Sequence, residues 1–234
     1  MKYLSSHAEE MGAVKAYLSK DNMHVIEAGC GRGWPPGLAN PTMEITGVDC
    51  DEAALRLRTD LAHSILGDIC KVQLPEKQAD VVYSAYVLEH VQGAEQALEN
   101  FFRWTKDGGV VILRIPDRNS VFGVVTRLTP HWVHVAYHRW ILGRKIAGQP
   151  GTGPYPTYYD AIVSRPGIRE FCARHGYEIV EEFAVATHFR NRFKWLIAPF
   201  CFGVSVLSFG TLAWRHSNLH YVIRKPLRSV ERAA

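Results

Sequence analysis

Cysteine is sparse and unpatterned in this chain. The five cysteines, Cys30, Cys50, Cys70, Cys172 and Cys201, form no C-x-x-C and share no spacing. That excludes a disulfide framework and a structural zinc site, and it fits a reducing compartment. Charge of one sign is also lacking. Twenty-seven Lys and Arg stand against 23 Asp and Glu, a net +4, with no block of like charges. Nucleic acid is therefore not an expected partner. No Ser/Gly-rich or charged linker, internal repeat or low-complexity tract divides the chain. Residues Met1 to Lys20 carry Glu9 and Glu10 and hold no apolar core of the signal-peptide kind. The protein is expected in the cytosol. At 234 residues and 47% hydrophobic, the chain is long enough to bury one large core.

Short apolar runs alternate with helical patterns. Met11, Val14 and Leu18 give a helical spacing over His7 to Leu18. Strands are expected at His24 to Ala28, Glu44 to Val48, Ser64 to Leu66, Ala79 to Ser84 and Val110 to Ile115. Helices are expected at Glu52 to Leu61, capped by Asp51, and at Gly93 to Thr105, followed by a turn over Lys106 to Gly109. Trp34-Pro35-Pro36 and then Pro41 leave room for only a short helix after the first strand. This β-α rhythm points to a doubly wound, mostly parallel Rossmann-like sheet.

The rhythm stops at Pro116. Residues 117–166 read as a helical insertion, with a basic, aromatic helix over His131 to Lys145 and an irregular loop rich in Gly and Pro. A helix at Ile168 to His175, a strand at Glu178 to Ala186 and a last strand at Asn218 to Lys225 follow.

The chemistry is concentrated at Val25-Ile26-Glu27-Ala28-Gly29-Cys30-Gly31-Arg32-Gly33. Glycine reaches positive φ freely and lets a ligand lie against bare backbone. A dinucleotide fingerprint would read G-x-G-x-x-G, whereas the spacing here is G-x-G-x-G. Three acids lie at or beside successive strand ends: Glu27, Asp49 and Asp68. A carboxylate such as Asp49 can accept two ribose hydroxyls side by side.

This set resembles the class I S-adenosylmethionine-dependent methyltransferases, in particular their small-molecule (type 11-like) branch. The resembling stretches are Val25 to Gly33, Ile45 to Asp51, Gly67-Asp68-Ile69, Ala79 to Val91 and Trp104 to Pro116. The resemblance implies S-adenosylmethionine as cofactor and a seven-stranded sheet with an antiparallel last strand. It implies that Glu27, Gly29, Cys30 and Gly31 lie at the methionine end. Asp49 would hold the ribose with Cys50 beside the adenine, Asp68 and Ile69 would frame the adenine, and Ser84 would lie beside the methyl group. Residues 1–116 would then be the cofactor half of a single domain, 117–166 an acceptor-side insertion, and 167–234 the closing strands.

The acceptor half is less constrained. Leu88-Glu89-His90-Val91 resembles the matching stretch of quinone-type O-methyltransferases, some of which hold a metal through E-x-x-E-H. Tyr86 stands where the first Glu would be, so no metal is expected. His90 is a candidate general base. His131, His134 and His138 recur on one helical face, and the first two are further catalytic candidates. Tyr83-Ser84-Ala85-Tyr86 differs from the Asn-Pro-Pro-Tyr stretch suited to nucleobase amino groups.

Trp195 to Trp214 is uncharged and apolar, flanked by Arg190, Arg192, Lys194 and Arg215. Its length permits a membrane span. Strands on both sides of it belong to one sheet, which argues against a single crossing. An interfacial contact through 131–145 and 195–214, on the inner face of a membrane, is favoured; a helix pair covering the acceptor pocket is the other arrangement. The expected activity is methyl transfer to a small or lipid-like hydrophobic acceptor, at oxygen. The alternatives are an NAD-dependent oxidoreductase and a non-catalytic membrane-associated module.

Overall fold

The most apolar runs of the sequence become the middle of one mixed sheet. The computed structural model describes residues 1–4, 6–35, 37–38, 40–141, 143–149, 152–186 and 194–227. Its strands are β1 (Lys2–Leu4), β2 (His24–Ala28), β3 (Glu44–Asp49), β4 (His63–Leu66), β5 (Ala79–Ala85), β6 (Thr105–Pro116), β7 (Glu178–Val185) and β8 (Asn218–Arg224). Its α-helices are α1 (His7–Lys15), α2 (Glu52–Leu55), α3 (Ala94–Trp104), α4 (Val121–Leu128), α5 (His131–Ala136), α6 (Arg165–His175) and α7 (Lys194–Leu207). The strands lie in the order β1-β7-β8-β6-β5-β2-β3-β4. Only β8 runs against its neighbours, β6 and β7. The doubly wound sheet with an antiparallel last strand thus forms, and β1 adds an edge strand that the sequence pattern did not suggest.

Side chains alternate across a strand, so adjacent apolar residues feed two cores. Val25, Val81, Tyr83 and Ile112 face Met11 and Val14 of α1, with Leu18 and Leu38. Ile26, Val82, Val111 and Leu113 face Leu98, Phe101 and Phe102 of α3 and Ile168 and Phe171 of α6. The order reverses between β2 and β5: from β2 the chain steps outward to β3 and β4, from β5 to β6. Beyond the carboxyl ends of such a pair a crevice opens.

Several elements depart from the sequence expectation. Among the described residues no helix forms between Gly31 and Met43; Leu38 closes a turn on Pro35 and inserts into the core. Helix α2 stops at Leu55: the Arg56 amide still bonds four residues back to Glu52, but the Leu57 and Arg58 amides bond only three back, to Ala54 and Leu55. The Arg58 side chain turns inward there. Lys106 to Gly109 is not a free turn: the Gly108 amide donates to the Lys225 carbonyl just past β8 and the Lys225 amide donates to the Gly109 carbonyl, with a register shift against β5. The insertion helix expected over His131 to Lys145 is only α5 plus a wider π-type turn over Tyr137–Ile141, and the preceding α4 was not foreseen. The apolar stretch forms α7, with Pro199 inside it, and a turn over 208–210. Arg190 and Arg192 lie outside the described residues. No helix among the described residues is long and apolar enough to cross a membrane.

Glu182 of β7 fastens the far edge. Its carboxylate accepts from Arg165 (2.9 and 3.1 Å) and Arg169 (3.2 and 2.7 Å) of α6. Burial pushes this acid up, but the bonds from Arg169 and Arg165 outweigh burial and hold it down at about 2. A depressed acid stabilises the fold above its unfolded value near 4.5 and loses that contribution as pH falls towards 2. Because both arginines are partly exposed, screening leaves about 2 kcal/mol. Glu182→Gln should therefore lower chemical-denaturation stability by about 2 kcal/mol at neutral pH, and the gap from wild type should close on acidification to about pH 2.

Candidate functional site

Three strand ends build one wall of a cleft. After β2 the chain turns through Gly29 (φ +73°) and Gly31 (φ +53°). The amides of Gly29 and Cys30 donate to the Val48 carbonyl of β3 at 2.8 and 3.1 Å. A Cβ on Gly29 would lie 2.3 Å from Val87 Cγ2, so glycine is required by both dihedral and contact. At the end of β3, Asp49 accepts from the Gly31 amide (2.7 Å) and the Asp51 amide (2.9 Å), one on each oxygen. Each oxygen retains a second lone pair for a ligand hydroxyl. Beyond β4, Asp68 accepts from the Cys70 amide at 2.9 Å and pairs with Lys71 at 3.2 Å. The Cys70 amide foremost, with Lys71 helping against burial, holds Asp68 below the ordinary carboxylate range.

The cleft measures about 940 Å³ and is lined by Gly29, Gly31, Asp49, Cys50, Asp68, Ile69 and His90 from the sequence-derived set. Glu27, Cys30 and Ser84 line no part of it; they brace it from behind. Ser84 Oγ donates to the Ala28 carbonyl at 2.9 Å, tying β5 to β2. Glu27 accepts from Arg58 Nη2 at 2.7 Å. Arg58 also reaches the Cys30 carbonyl at 2.6 Å and grips Asp60 with two bonds. Burial pushes Glu27 up against the pull of Arg58, its counter-ion, and burial pushes the Cys30 thiol up to about 12. Such a thiol is inert. His131 is exposed and His134 Nε2 lies 2.6 Å from Thr129 Oγ1, so neither lines the cleft.

The opposite wall follows β5. Tyr86 sits at φ +58° with the Arg114 guanidinium 5.2 Å over its ring and its hydroxyl accepting from Asn218 at 3.2 Å. A 3₁₀ turn over Leu88–His90 then presents His90. A strap from Tyr155 to Asp160 crosses this turn. Tyr158 N–H donates to the Glu89 carbonyl at 2.8 Å, and Asp160 caps α3 through the Gly93 and Ala94 amides at 3.0 Å each. His90 Nδ1 lies 2.7 Å from the Pro156 carbonyl. A carbonyl only accepts, so Nδ1 carries the proton and Nε2 keeps a lone pair. Burial foremost lowers the His90 pKa, and burial pushes buried Glu89 up to about 8. Both are neutral at pH 7, so their 3.7 Å approach is not an ion pair.

A family model described as "Methyltransferase domain" matches residues 26–113. A probable S-adenosylmethionine-dependent methyltransferase of Mycolicibacterium smegmatis is 30% identical over 166 residues, 67% of this chain and 62% of the relative. The chain belongs to the class I S-adenosylmethionine-dependent methyltransferases. A malonyl-[acyl-carrier protein] O-methyltransferase of Serratia marcescens is 25% identical, over 68% of this chain and 55% of the relative. The chain thus spans less than two thirds of the length of these curated relatives. The crystal structure of an Archaeoglobus fulgidus SAM-dependent methyltransferase matches the fold with a TM-score of 0.58 at 15% identity, over 94% of this chain and 95% of that one.

S-adenosylmethionine is the cofactor this family and fold imply, and the residues present fit it. The glycine turn leaves bare backbone against Val87, Asp49 keeps lone pairs for hydroxyls, and Ile69 and Cys50 offer a weakly polar slot for a base. The sequence reading missed Arg32, Tyr86, Val87, Tyr155, Pro156 and Tyr158 as cleft residues. Only Tyr155 and Tyr158 left a signal, two aromatics in a loop rich in Gly and Pro.

The buried Glu89 gives the site a pH signature. Its acid is raised from 4.5 to about 8, so the folded chain keeps a proton that the unfolded chain has lost. Its stabilising contribution is full below 4.5 and is lost as pH rises to about 8. Glu89→Gln should remove this slope, and the variant should gain on the order of 5 kcal/mol relative to wild type between those limits. Denaturation midpoints across that range check it; parallel curves would refute a neutral Glu89.

Proposed function

We propose that the cleft binds S-adenosylmethionine and that the enzyme methylates an oxygen of a small, hydrophobic or lipid-like acceptor. The observation that carries this reading is the pairing of two acids, Asp49 and Asp68, on one wall with a neutral His90 on the other. Asp49 would take the ribose hydroxyls on its remaining lone pairs, and Asp68 with Ile69 and Cys50 would frame the adenine. Gly29 and Gly31 would leave room for the methionine end. When bound, S-adenosylmethionine supplies an electrophilic methyl group on a sulfonium, which is transferred by in-line displacement.

The protein's own contribution is alignment and a place for one proton. An attacking hydroxyl must shed its proton, and His90 Nε2 has the lone pair to hold it. The Pro156 carbonyl fixes the tautomer from the other side of the ring. Tyr155, 5.8 Å from His90 between ring centres, and Tyr158 would keep water from the mouth and offer an apolar acceptor a surface. Oxygen as the attacked atom fits a base that takes one proton from a hydroxyl, and the malonyl-[acyl-carrier protein] relative is named for methylation at oxygen. Peripheral contact with a membrane through 131–145 and 195–214 belongs to the same reading, because a lipid-like acceptor resides there.

Calorimetry with S-adenosylhomocysteine, S-adenosylmethionine and NAD tests the donor half: the first two should bind and NAD should not. Binding of NAD alone would support an oxidoreductase, and binding of none would support a non-catalytic module. Asp49→Ala should weaken S-adenosylhomocysteine about 100-fold, since it removes both the hydroxyl acceptor and the anchor of Gly31. His90→Gln should leave that affinity unchanged and slow methyl transfer about 100-fold or more, with the loss of an ionisation from the rate profile. An unchanged rate would remove His90 from the mechanism.

A further inference from the structure

Helix α7 is built inside out for a helix in water. Trp195, Pro199, Phe202 and Val206 follow at i, i+4, i+7 and i+11, one stripe of the helix. That stripe is exposed: Trp195 is 68%, Phe202 52% and Val206 58% accessible. Leu207 and, just past the helix end, Phe209 are accessible at 81% and 97%. The buried positions of the helix are small or polar, Cys201 and Ser205, with Ile197 and Val204 half-buried beside them, and the Ser205 hydroxyl donates to the Leu212 carbonyl at 2.8 Å. Helix α4 packs against α7 and adds the exposed Val125 and Leu128. None of these residues lines the cleft, so the segment does not act as its lid.

The charge around this face has one sign. From Arg118 to Tyr159, and again from Phe183 to Leu227, the chain contains no Asp or Glu. Arg127 is exposed in the last turn of α4. Arg215 lies 5.2 Å over the Trp214 ring, which also meets the Phe202 ring at 5.3 Å, so a guanidinium sits at the rim of the apolar stripe. A second copy of the chain would bring like charges together across a symmetric interface. A nucleic acid would match the arginines but leave the protruding Leu, Val and Phe side chains in contact with polar backbone. A bilayer surface with anionic headgroups satisfies both parts.

We propose that the α7 face, with α4 beside it, docks on bilayers containing anionic phospholipid, placing Phe202, Val206, Leu207 and Phe209 among the acyl chains and Arg127 and Arg215 at the headgroups. The helix then lies in the plane of the interface, where an apolar face, aromatic residues and basic flanks combine. This deepens the reading of a lipid-like acceptor and rests on it for its biological purpose.

The test is co-sedimentation of the full chain with vesicles of phosphatidylcholine alone and of phosphatidylcholine mixed equally with phosphatidylglycerol. The protein should pellet with the mixed vesicles only, and added salt should release it. Leu207→Glu combined with Phe209→Glu should reduce partitioning about tenfold or more. Arg127→Glu combined with Arg215→Glu should abolish the preference for phosphatidylglycerol. In both variants S-adenosylhomocysteine affinity by calorimetry should match wild type, which shows that the fold is kept. No pelleting, equal pelleting with both vesicles, or pelleting that the Leu207 and Phe209 changes leave untouched would overturn the proposal. So would a dimer in sedimentation velocity that those changes dissolve. Vesicle binding without S-adenosylhomocysteine binding would sustain the docking face and sink only the methyltransferase reading.

Discussion

The site depends on one close approach, where the backbone of Gly29 meets the side chain of Val87. These residues follow β2 and β5, the two strands at which the sheet changes direction. A Cβ at Gly29 would stand at 2.3 Å from Val87, a distance no packed atoms tolerate. An alanine would also have to accept a left-handed φ, a cost of roughly 1–2 kcal/mol before any clash is counted. Both residues line the cleft, one on each wall. The layer behind them is polar and tightly bonded. Ser84 ties β5 to β2, and Arg58 ties the Cys30 carbonyl to Glu27 and Asp60.

The Glu27–Arg58–Asp60 cluster shows how a residue can matter to a site without touching the ligand. A charged guanidinium buried to this degree needs counter-ions and saturated donors, or its desolvation would outweigh its attraction. Here three acceptors surround it, two carboxylates and a carbonyl. Removing any one partner leaves a buried charge short of bonds, and the strand-end turn carrying Gly29 and Gly31 would lose its anchor. An acid at the end of β2 therefore has a structural use in this chain.

The wall built from the ends of β2, β3 and β4 was legible in the sequence because it follows from short-range rules. Glycines at positive φ, apolar runs of strand length and acids at strand ends are read from neighbours in the chain, and β2, β3, β5 and β8 fall within a residue or so of expectation. What the sequence could not separate was an acid at the cleft from an acid behind it. Glu27, Asp49 and Asp68 look alike until Arg58, thirty-one residues away, is seen to occupy the first. The second wall was hidden for a related reason. Tyr86 owes its place to Arg114 and Asn218, and His90 owes its tautomer to Pro156, contacts across 28 to 132 residues of chain. The edge strand β1 has only three residues and takes its identity from pairing with β7, so no local pattern marks it.

The apolar segment of 195–214 illustrates how topology decides what hydropathy leaves open. Its composition suits a membrane span. Yet β7 and β8, which bracket it, pair with each other along seven registers, so the chain must return to the side it left. Helix α7 has 14 residues, about 21 Å at the helical rise, against the roughly 30 Å of a bilayer core. Pro199 removes one of its backbone bonds. A helix of this length can still lie flat, and its outward Trp, Phe and Val stripe gives it a side on which to do so. The same topology that argues against a single crossing leaves the apolar stripe on the outside of the fold, while the cleft lies at the strand ends of the sheet.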